Sequence, residues 1–575
     1  MTALDLSIPP QRKPDRESFD YRRKAVDAWL NGLPAANLDE TGRAIAAALA
    51  ELNRLQLRPS KRLWLLERID PRLDDIIPAL RRHYPPRELP LPAKHRFVAE
   101  LALALLREMA IGYDIVIRDA LSGPSVVRGK RLALALFHAI DYYGRLLLEL
   151  YNLYLPLPTD LWRALHRLYL TAERRRLHNR AIHDRELGRR GRSTIAIRYR
   201  RLLLLAITDP YRLRPGEALD AYTVLAPWAR HCRLLPRTTA PAGAAYYVNL
   251  YSDAGPLSAD RVDAKGHCRA LDTAPLQRLV EKALAPRRWW RRTPLALPED
   301  AELRQRLLRV FVPAPQRRFS RLPLNGQAQV VTGLPAICRQ LARELGLPLA
   351  DGDRPAPRFS SRDVVPAGQK TNDVWDLIYT GELTKSDRRE EVATAPPSAK
   401  PTADQRDLSA EWRLLNISPG GYGLTMDGNR SARVQVGELV ALRETAAMHN
   451  GWQIGVVRWL KQTPTEGVQL GVQVLGARPL PITLETETPG GHTRRTIQGV
   501  LLPAVAAVGQ PVTAIAPALQ FTGTSRTRLV GAGGTVEIEP TQVIENNGIF
   551  CQFAFRAPAV GGDATRVYEA MLASL

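Results

Sequence analysis

Three arginines fall within five positions of the stretch PQRRFSRLPL, residues 315 to 324: Arg317, Arg318 and Arg321. A guanidinium group grips a phosphate through a two-pronged, charge-assisted hydrogen bond and also stacks its flat face on a purine, whereas an ammonium does only the first. The R-x-x-x-R spacing of Arg317 and Arg321 lets two such groups close on one anion from two sides of a short extended segment. Downstream, NISPGGYGL at residues 416 to 424 sets the short polar side chains of Asn416 and Ser418 beside Gly420 and Gly421. The glycines leave uncovered backbone where a base or phosphate can approach closely. Each piece alone has a plainer reading: a solvated cluster in an arginine-rich chain, or an ordinary hairpin turn.

The elements that must position these residues can be read from the rest of the chain. At 575 residues it exceeds what one hydrophobic core supports, so three or four domains are expected. From about residue 15 to 210, blocks such as RLWLLERIDPRLDDIIPALRRHY and LPTDLWRALHRLYLTAERRRL carry apolar residues at spacings of three and four, which predicts helices. Pro71, Pro85, Pro156 and Pro158 are expected to punctuate those blocks. AAYYVNLYSDAGPLS and APLQRLVEKALA then suggest a small α/β module. From 317 onward NGQAQVVTG, EWRLLNIS, YGLTM, ARVQVGELVALR, WQIGVVRWLK and VQLGVQVLG read as strands bounded by turn residues. They predict a small β-barrel interrupted by a Pro-, Ala- and Ser-rich insertion at about 345 to 405. The end of the chain predicts a second β unit closed by a short helix, DATRVYEAMLASL.

The order of the pieces is more specific than the pieces. R-x-x-x-R, then Leu-Pro-Leu and a strand, then N-x-S-x-x-G, then WQIGVVRWLK and VQLGVQVLG, resembles the PilZ family of cyclic di-GMP receptors over about 315 to 340 and 411 to 478. The resemblance implies a six-stranded barrel that binds the cyclic dinucleotide, commonly as a stacked dimer. It implies Arg317 and Arg321 on the phosphates and guanine faces, Asn416, Ser418 and Gly421 on the other side, and Arg318 as an adjacent helper by location. One departure is length, because Asn416 follows Arg321 by 95 positions. Loop-closure entropy grows slowly with length, so an insertion between the first two strands is compatible with a closed barrel. A rival R-x-x-x-R run, Arg354, Arg358 and Arg362, sits inside the insertion and leads into no strand.

Charge and motifs bound the function further. The 81 Lys and Arg against 58 Asp and Glu give a net charge of +23, a surface that attracts anions. RRWWRRT at 287 to 293 offers single-stranded nucleic acid a stacking site, although such a run is more often a basic helix end with its tryptophans packed inward. RELGRRGRSTIAIRYRR at 185 to 201 reads as a solvated loop and helix start. The four cysteines are scattered, which suits a reducing compartment, and the pairs His231-Cys232 and His267-Cys268 are awkward as metal ligands because adjacent side chains diverge. No Walker loop, nucleophile elbow or HExxH motif occurs. No apolar run reaches a membrane-spanning length.

The expectation is therefore a multidomain α + β protein: a helical domain at 1–214, a small α/β module and linker at 215–312, a PilZ-like six-stranded barrel at 313–480, and a C-terminal β domain at 481–575. It is expected to be a cytoplasmic, non-enzymatic receptor that binds cyclic di-GMP without cofactor or metal. A protein partner is expected on the helical half; the alternatives are a basic nucleic-acid-binding protein or a ligand-free PilZ-like scaffold.

Overall fold

The computed structural model of the chain describes residues 4–34, 37–86, 88–188, 191–240, 244–261, 268–284, 295, 297–308, 311, 321–347, 410–426, 433–446, 451–463, 467–487, 494–505, 509–518 and 527–575. Arg317, Arg318, the RRWWRRT run, His267 and the insertion from 348 on, with Arg354, Arg358 and Arg362, lie outside the described residues.

The first half is helical, as its three-and-four apolar spacing predicts. Helices α1 (Arg23–Gly32), α2 (Leu38–Arg54), α3 (Pro59–Arg81), α4 (Ala93–Ser122), α5 (Lys130–Asn152) and α6 (Leu161–Arg174) follow one another. Helix α4 packs on α2, α3 and α5, burying Leu105, Leu106, Met109, Tyr113 and Val116 completely. The start of α2 is fixed by Asn37, whose Oδ1 accepts from the Glu40 N–H at 3.2 Å while its amide donates to the Glu40 carboxylate at 3.1 Å. Pro71 does not punctuate: it sits inside α3, as does Pro78. A proline costs a helix interior about 3 kcal/mol. The buried stripe of Leu66, Ile69, Leu73, Ile76, Ile77 and Leu80 continues past it and outweighs that cost, since each such side chain contributes roughly 1.5–3 kcal/mol on full burial. Pro85, Pro156 and Pro158 do lie between helices.

The stretch from 185 differs from the solvated loop expected. Short strands β1 (Ile182–His183) and β2 (Arg192–Ser193) pair, and α7 (Ile195–Ile207) starts where the Thr194 hydroxyl accepts from the Ile197 N–H at 3.1 Å. Arg198 and Arg201 on α7 are buried, Arg198 against Asp184 at 2.8 Å and both against Glu186, at 2.5 and 2.6 Å. Burial without those carboxylates would be prohibitive, so the arginine-rich composition here is structural. Helix α8 (Glu217–Trp228) packs on α5 and α7.

Strands β3 (Arg233–Pro236), β4 (Tyr246–Asn249), β5 (Leu257–Ser258) and β6 (Cys268–Asp272) form an antiparallel sheet in the order β3-β6-β4-β5, followed by α9 (Ala274–Leu284) and α10 (Ala301–Leu308). His166 of α6 ties this sheet region to the helices. Its Nδ1 faces the Tyr199 hydroxyl at 2.6 Å and its Nε2 the Ala254 carbonyl at 2.8 Å. That pattern suits a neutral ring donating through Nε2 and accepting at Nδ1. Burial pushes its pKa from 6.5 down to about 4. Between those values the unfolded chain binds the proton and the folded one does not, so stability rises with pH across the window and is lost as pH falls through it. We expect up to about 3 kcal/mol of acid sensitivity from this residue. Urea unfolding at pH 7, 5.5 and 4.5 checks it: a His166→Gln variant should lose markedly less stability over that range than the wild type.

The second half is two closed barrels. In the first, β7 (Leu322–Thr332), β8 (Ala410–Ser418), β9 (Gly421–Met426), β10 (Leu439–Glu444), β11 (Gln453–Thr463) and β12 (Gly467–Ala477) close in the order β7-β8-β9-β12-β11-β10. Every neighbouring pair is antiparallel. After β7, helix α11 (Leu334–Glu344), which the strand pattern did not announce, turns off at Gly333. In the second barrel, β13 (Leu480–Glu487), β14 (Arg494–Leu502), β15 (Thr513–Pro517), β16 (Thr527–Gly531), β17 (Gly534–Asn546) and β18 (Phe550–Arg556) close as β13-β14-β15-β18-β17-β16. Helix α12 (Ala564–Ala573) buries Val567, Tyr568 and Met571 against it.

The parts share cores. One continuous apolar cluster runs from Val26 of α1 to Val472 of the first barrel. A second joins Ile337 and Leu341 of α11 to Ile454 and Leu475 of the first barrel and Val500, Leu502 and Ile515 of the other. Polar stitches add to both. The Gln462 side chain donates to the Leu153 carbonyl at 2.6 Å and its backbone N–H to the Tyr154 carbonyl at 2.7 Å. Arg214 pairs with Glu302 at 2.8 Å and donates to the Asn547 carbonyl, while the Asn547 amide donates to the Gly437 carbonyl at 3.0 Å.

Candidate functional site

Strands β8 and β9 are joined by the two-residue turn Pro419-Gly420, with Ser418 opposite Gly421. The Ser418 hydroxyl donates to the Gly421 carbonyl at 3.2 Å, and the Val474 N–H donates to the Gly420 carbonyl at 3.1 Å, which lays the turn against β12. Gly421 is required by close approach: a Cβ there would stand 2.0 Å from the Val472 carbonyl oxygen. The proximity of β9 to β12 therefore depends on glycine at 421.

Beside this turn is a recess of about 170 Å³, and Arg321, Ser418 and Gly421 all line it. Arg321 stands exposed immediately before β7. Three of the six site residues expected from sequence are thus brought together. Asn416, on β8, does not line the recess: it is half-buried, with its amide packed over Gly423, where a Cβ would come within 2.8 Å of Nδ2. A break in the β8–β9 register between Leu414 and Asn416 sets its direction. Arg317 and Arg318 lie outside the described residues.

Other lining residues carry chemistry that local spacing did not announce. Arg458 and Trp459 come from the middle of β11, Gln473 from β12, and Arg212 from the turn that follows α7. The Trp459 indole lies on the Gly471 backbone so closely that a Cβ at 471 would be 1.9 Å from its ring nitrogen. Glycine there lets a half-buried aromatic ring serve as a wall against which a planar base can stack. Arg458 donates through Nε to the Gln473 side-chain oxygen at 2.7 Å and forks onto both oxygens of Glu545 in the second barrel, each at 2.7 Å. The Tyr422 hydroxyl donates to Glu444 at 2.9 Å and accepts from Gln453 at 3.0 Å. Burial pushes it up to about 12, so it remains a neutral phenol.

Among the described lining residues three are arginines and none is acidic. Guanidinium groups, a serine hydroxyl, open glycine backbone and an indole wall favour a multiply anionic ligand with a flat ring. At about 170 Å³ the recess is smaller than the roughly 300–1,000 Å³ that encloses a drug-sized ligand, so it can enclose only part of a molecule that size.

Comparisons with known proteins agree along the chain. Three family models match consecutive stretches: the N-terminal domain of the cyclic-di-GMP receptor FimW over residues 24–239, its middle PilZ domain over 245–481 and its C-terminal beta-barrel domain over 482–558. The cyclic-di-GMP receptor FimW of Pseudomonas aeruginosa is 28% identical to this chain, over 96% of this chain and 93% of its own length. No solved structure matches. Among the described residues no helix is long and apolar enough to cross a membrane.

Proposed function

The chain belongs to the PilZ-domain family of cyclic-di-GMP receptors, and from that premise we propose that it is itself a non-enzymatic receptor for cyclic di-GMP acting in the cytoplasm. The observation that carries the site is the convergence of Arg321, Ser418 and Gly421 on one arginine-lined recess of the barrel. In this reading Arg317 and Arg321 hold phosphates and guanine faces, with Arg318 beside them. Asn416, Ser418 and Gly421 form the opposite wall, and Trp459 offers a stacking face. The working division is a helical domain at 1–214, an α/β module at 215–312, the ligand-binding barrel at 313–480 and a second barrel at 481–575. The helical half presents the surface that a protein partner reads.

Binding then acts as a switch through differential affinity for two arrangements of the chain. Arg458 is the natural link, because it lines the recess while gripping Glu545 of the second barrel. A ligand phosphate competes with Glu545 for that guanidinium. A Glu545→Gln substitution is therefore expected to tighten binding by up to about fivefold, the equivalent of the ~1 kcal/mol that a partly exposed pair contributes. Calorimetric titration checks it, and weaker binding would show that Glu545 holds Arg458 in its productive position.

The test of the receptor reading is titration of cyclic di-GMP into the full chain, followed by heat and by thermal shift. Saturable binding supports it. No heat and no shift at high-micromolar ligand rejects it.

A further inference from the structure

The recess is not built by the barrel alone. Arg212 belongs to the turn Pro210–Arg212 that leaves α7 of the helical half, yet it lines the same space as Arg321 and Arg458. Its backbone is held on both sides. The preceding Tyr211 donates its hydroxyl to the Leu155 carbonyl at 2.6 Å and packs edge-on against Tyr151 at 5.4 Å. The following Leu213 is buried, and its carbonyl accepts from the Tyr154 hydroxyl at 2.7 Å. Strand β11, which carries Arg458 and Trp459, packs against this turn, with the Lys461 ammonium 5.5 Å from the Tyr211 ring centroid.

The side chain, by contrast, is lightly held. Arg212 Nε stands 3.3 Å from Asp209, with both side chains more than half exposed. Such a pair contributes about 1 kcal/mol or less and exchanges readily for a better anion. A fixed backbone and a loosely engaged guanidinium make a preorganised anion ligand, because little ordering remains for binding to supply.

We infer that Arg212 is a direct ligand of the cyclic dinucleotide, so that the messenger is gripped by the helical half and the barrel together. This rests on the receptor reading above. It adds a residue outside the barrel motif and gives the helical half a physical means of sensing occupancy. Asp209 then plays the part of a placeholder, occupying the guanidinium until a phosphate arrives.

The experiment is titration of cyclic di-GMP into the full-length wild type and into Arg212→Ala, Arg212→Lys, Asp209→Asn and Arg321→Ala variants. Arg212→Ala is expected to bind roughly ten- to hundredfold more weakly, the loss of charged hydrogen bonds, with its ligand-free unfolding temperature unchanged. Arg212→Lys should fall between it and the wild type, since the charge remains and the fork is lost. Asparagine tolerates the left-handed backbone found at Asp209, where φ is 54°, so Asp209→Asn should keep the turn and bind as tightly as the wild type or up to about fivefold tighter. If Arg321→Ala weakens binding while Arg212→Ala stays within about twofold of the wild type, the role of Arg212 is refuted and the receptor stands. If the wild type itself does not bind, both fall.

Discussion

An Arg317→Ala/Arg321→Ala double variant is expected to give no measurable heat with cyclic di-GMP at concentrations expected to saturate the wild type. Hydrogen bonds to a charged group contribute about 1.5–3 kcal/mol each, so losing one arginine costs roughly ten- to hundredfold in affinity and losing two costs the product of those factors if they act independently. Arg321 already lines the recess, and among the described residues it has no ion-pair partner. It is also exposed, and truncating it removes no core packing. The ligand-free unfolding temperature should therefore match the wild type. Retained binding would move the site elsewhere, the arginines at 354, 358 and 362 in the insertion being the first place to look.

Gly421→Ala is expected to fail for a different reason. The new methyl would sit 2.0 Å from the Val472 carbonyl oxygen, a backbone atom in the paired strand, so β9 must shift away from β12. Overpacking of this kind costs about 1–3 kcal/mol, which lowers the unfolding midpoint of a unit the size of the two joined barrels by roughly 2 to 12 °C. Because Ser418 donates to the Gly421 carbonyl, the shift carries the recess wall with it and binding is lost too. Circular dichroism melts and titration of the same sample separate this from the double arginine variant: one loses stability and ligand, the other ligand alone. A Gly421→Ala protein with wild-type stability would mean that the two strands separate without cost.

What was legible in the sequence follows the range of the forces involved. The helices of the first half and the strands of the second show up because their apolar periodicity is local. The turn at 416 to 421 and the arginine at 321 stand out because each belongs to a short motif that is local in sequence, even though 95 positions separate Arg321 from Asn416. Arg212 and Arg458 do not, since nothing local distinguishes an arginine that reaches a neighbouring domain's recess from one that faces water. Arg198 and Arg201 mislead in the opposite sense: they look solvated until the carboxylates of Asp184 and Glu186 fold over them. Pro71 misleads because the rule that proline ends a helix carries a finite cost, and a buried stripe of leucine and isoleucine exceeds it. That the C-terminal β unit closes into a barrel is a matter of long-range pairing, β13 with β16 and β15 with β18, which no short window encodes.

Helix α11 bears on how the receptor can be taken apart. Its apolar face is shared by strands of both barrels, with Cys338 within 3.4 Å of the Gly499 carbonyl across the boundary. A fragment cut after residue 480 would bare Ile337, Leu341, Ile454 and Leu475 to water, an adhesive patch of the kind that drives aggregation. Anyone seeking a minimal fluorescent reporter built on this chain should therefore carry the two barrels as one piece.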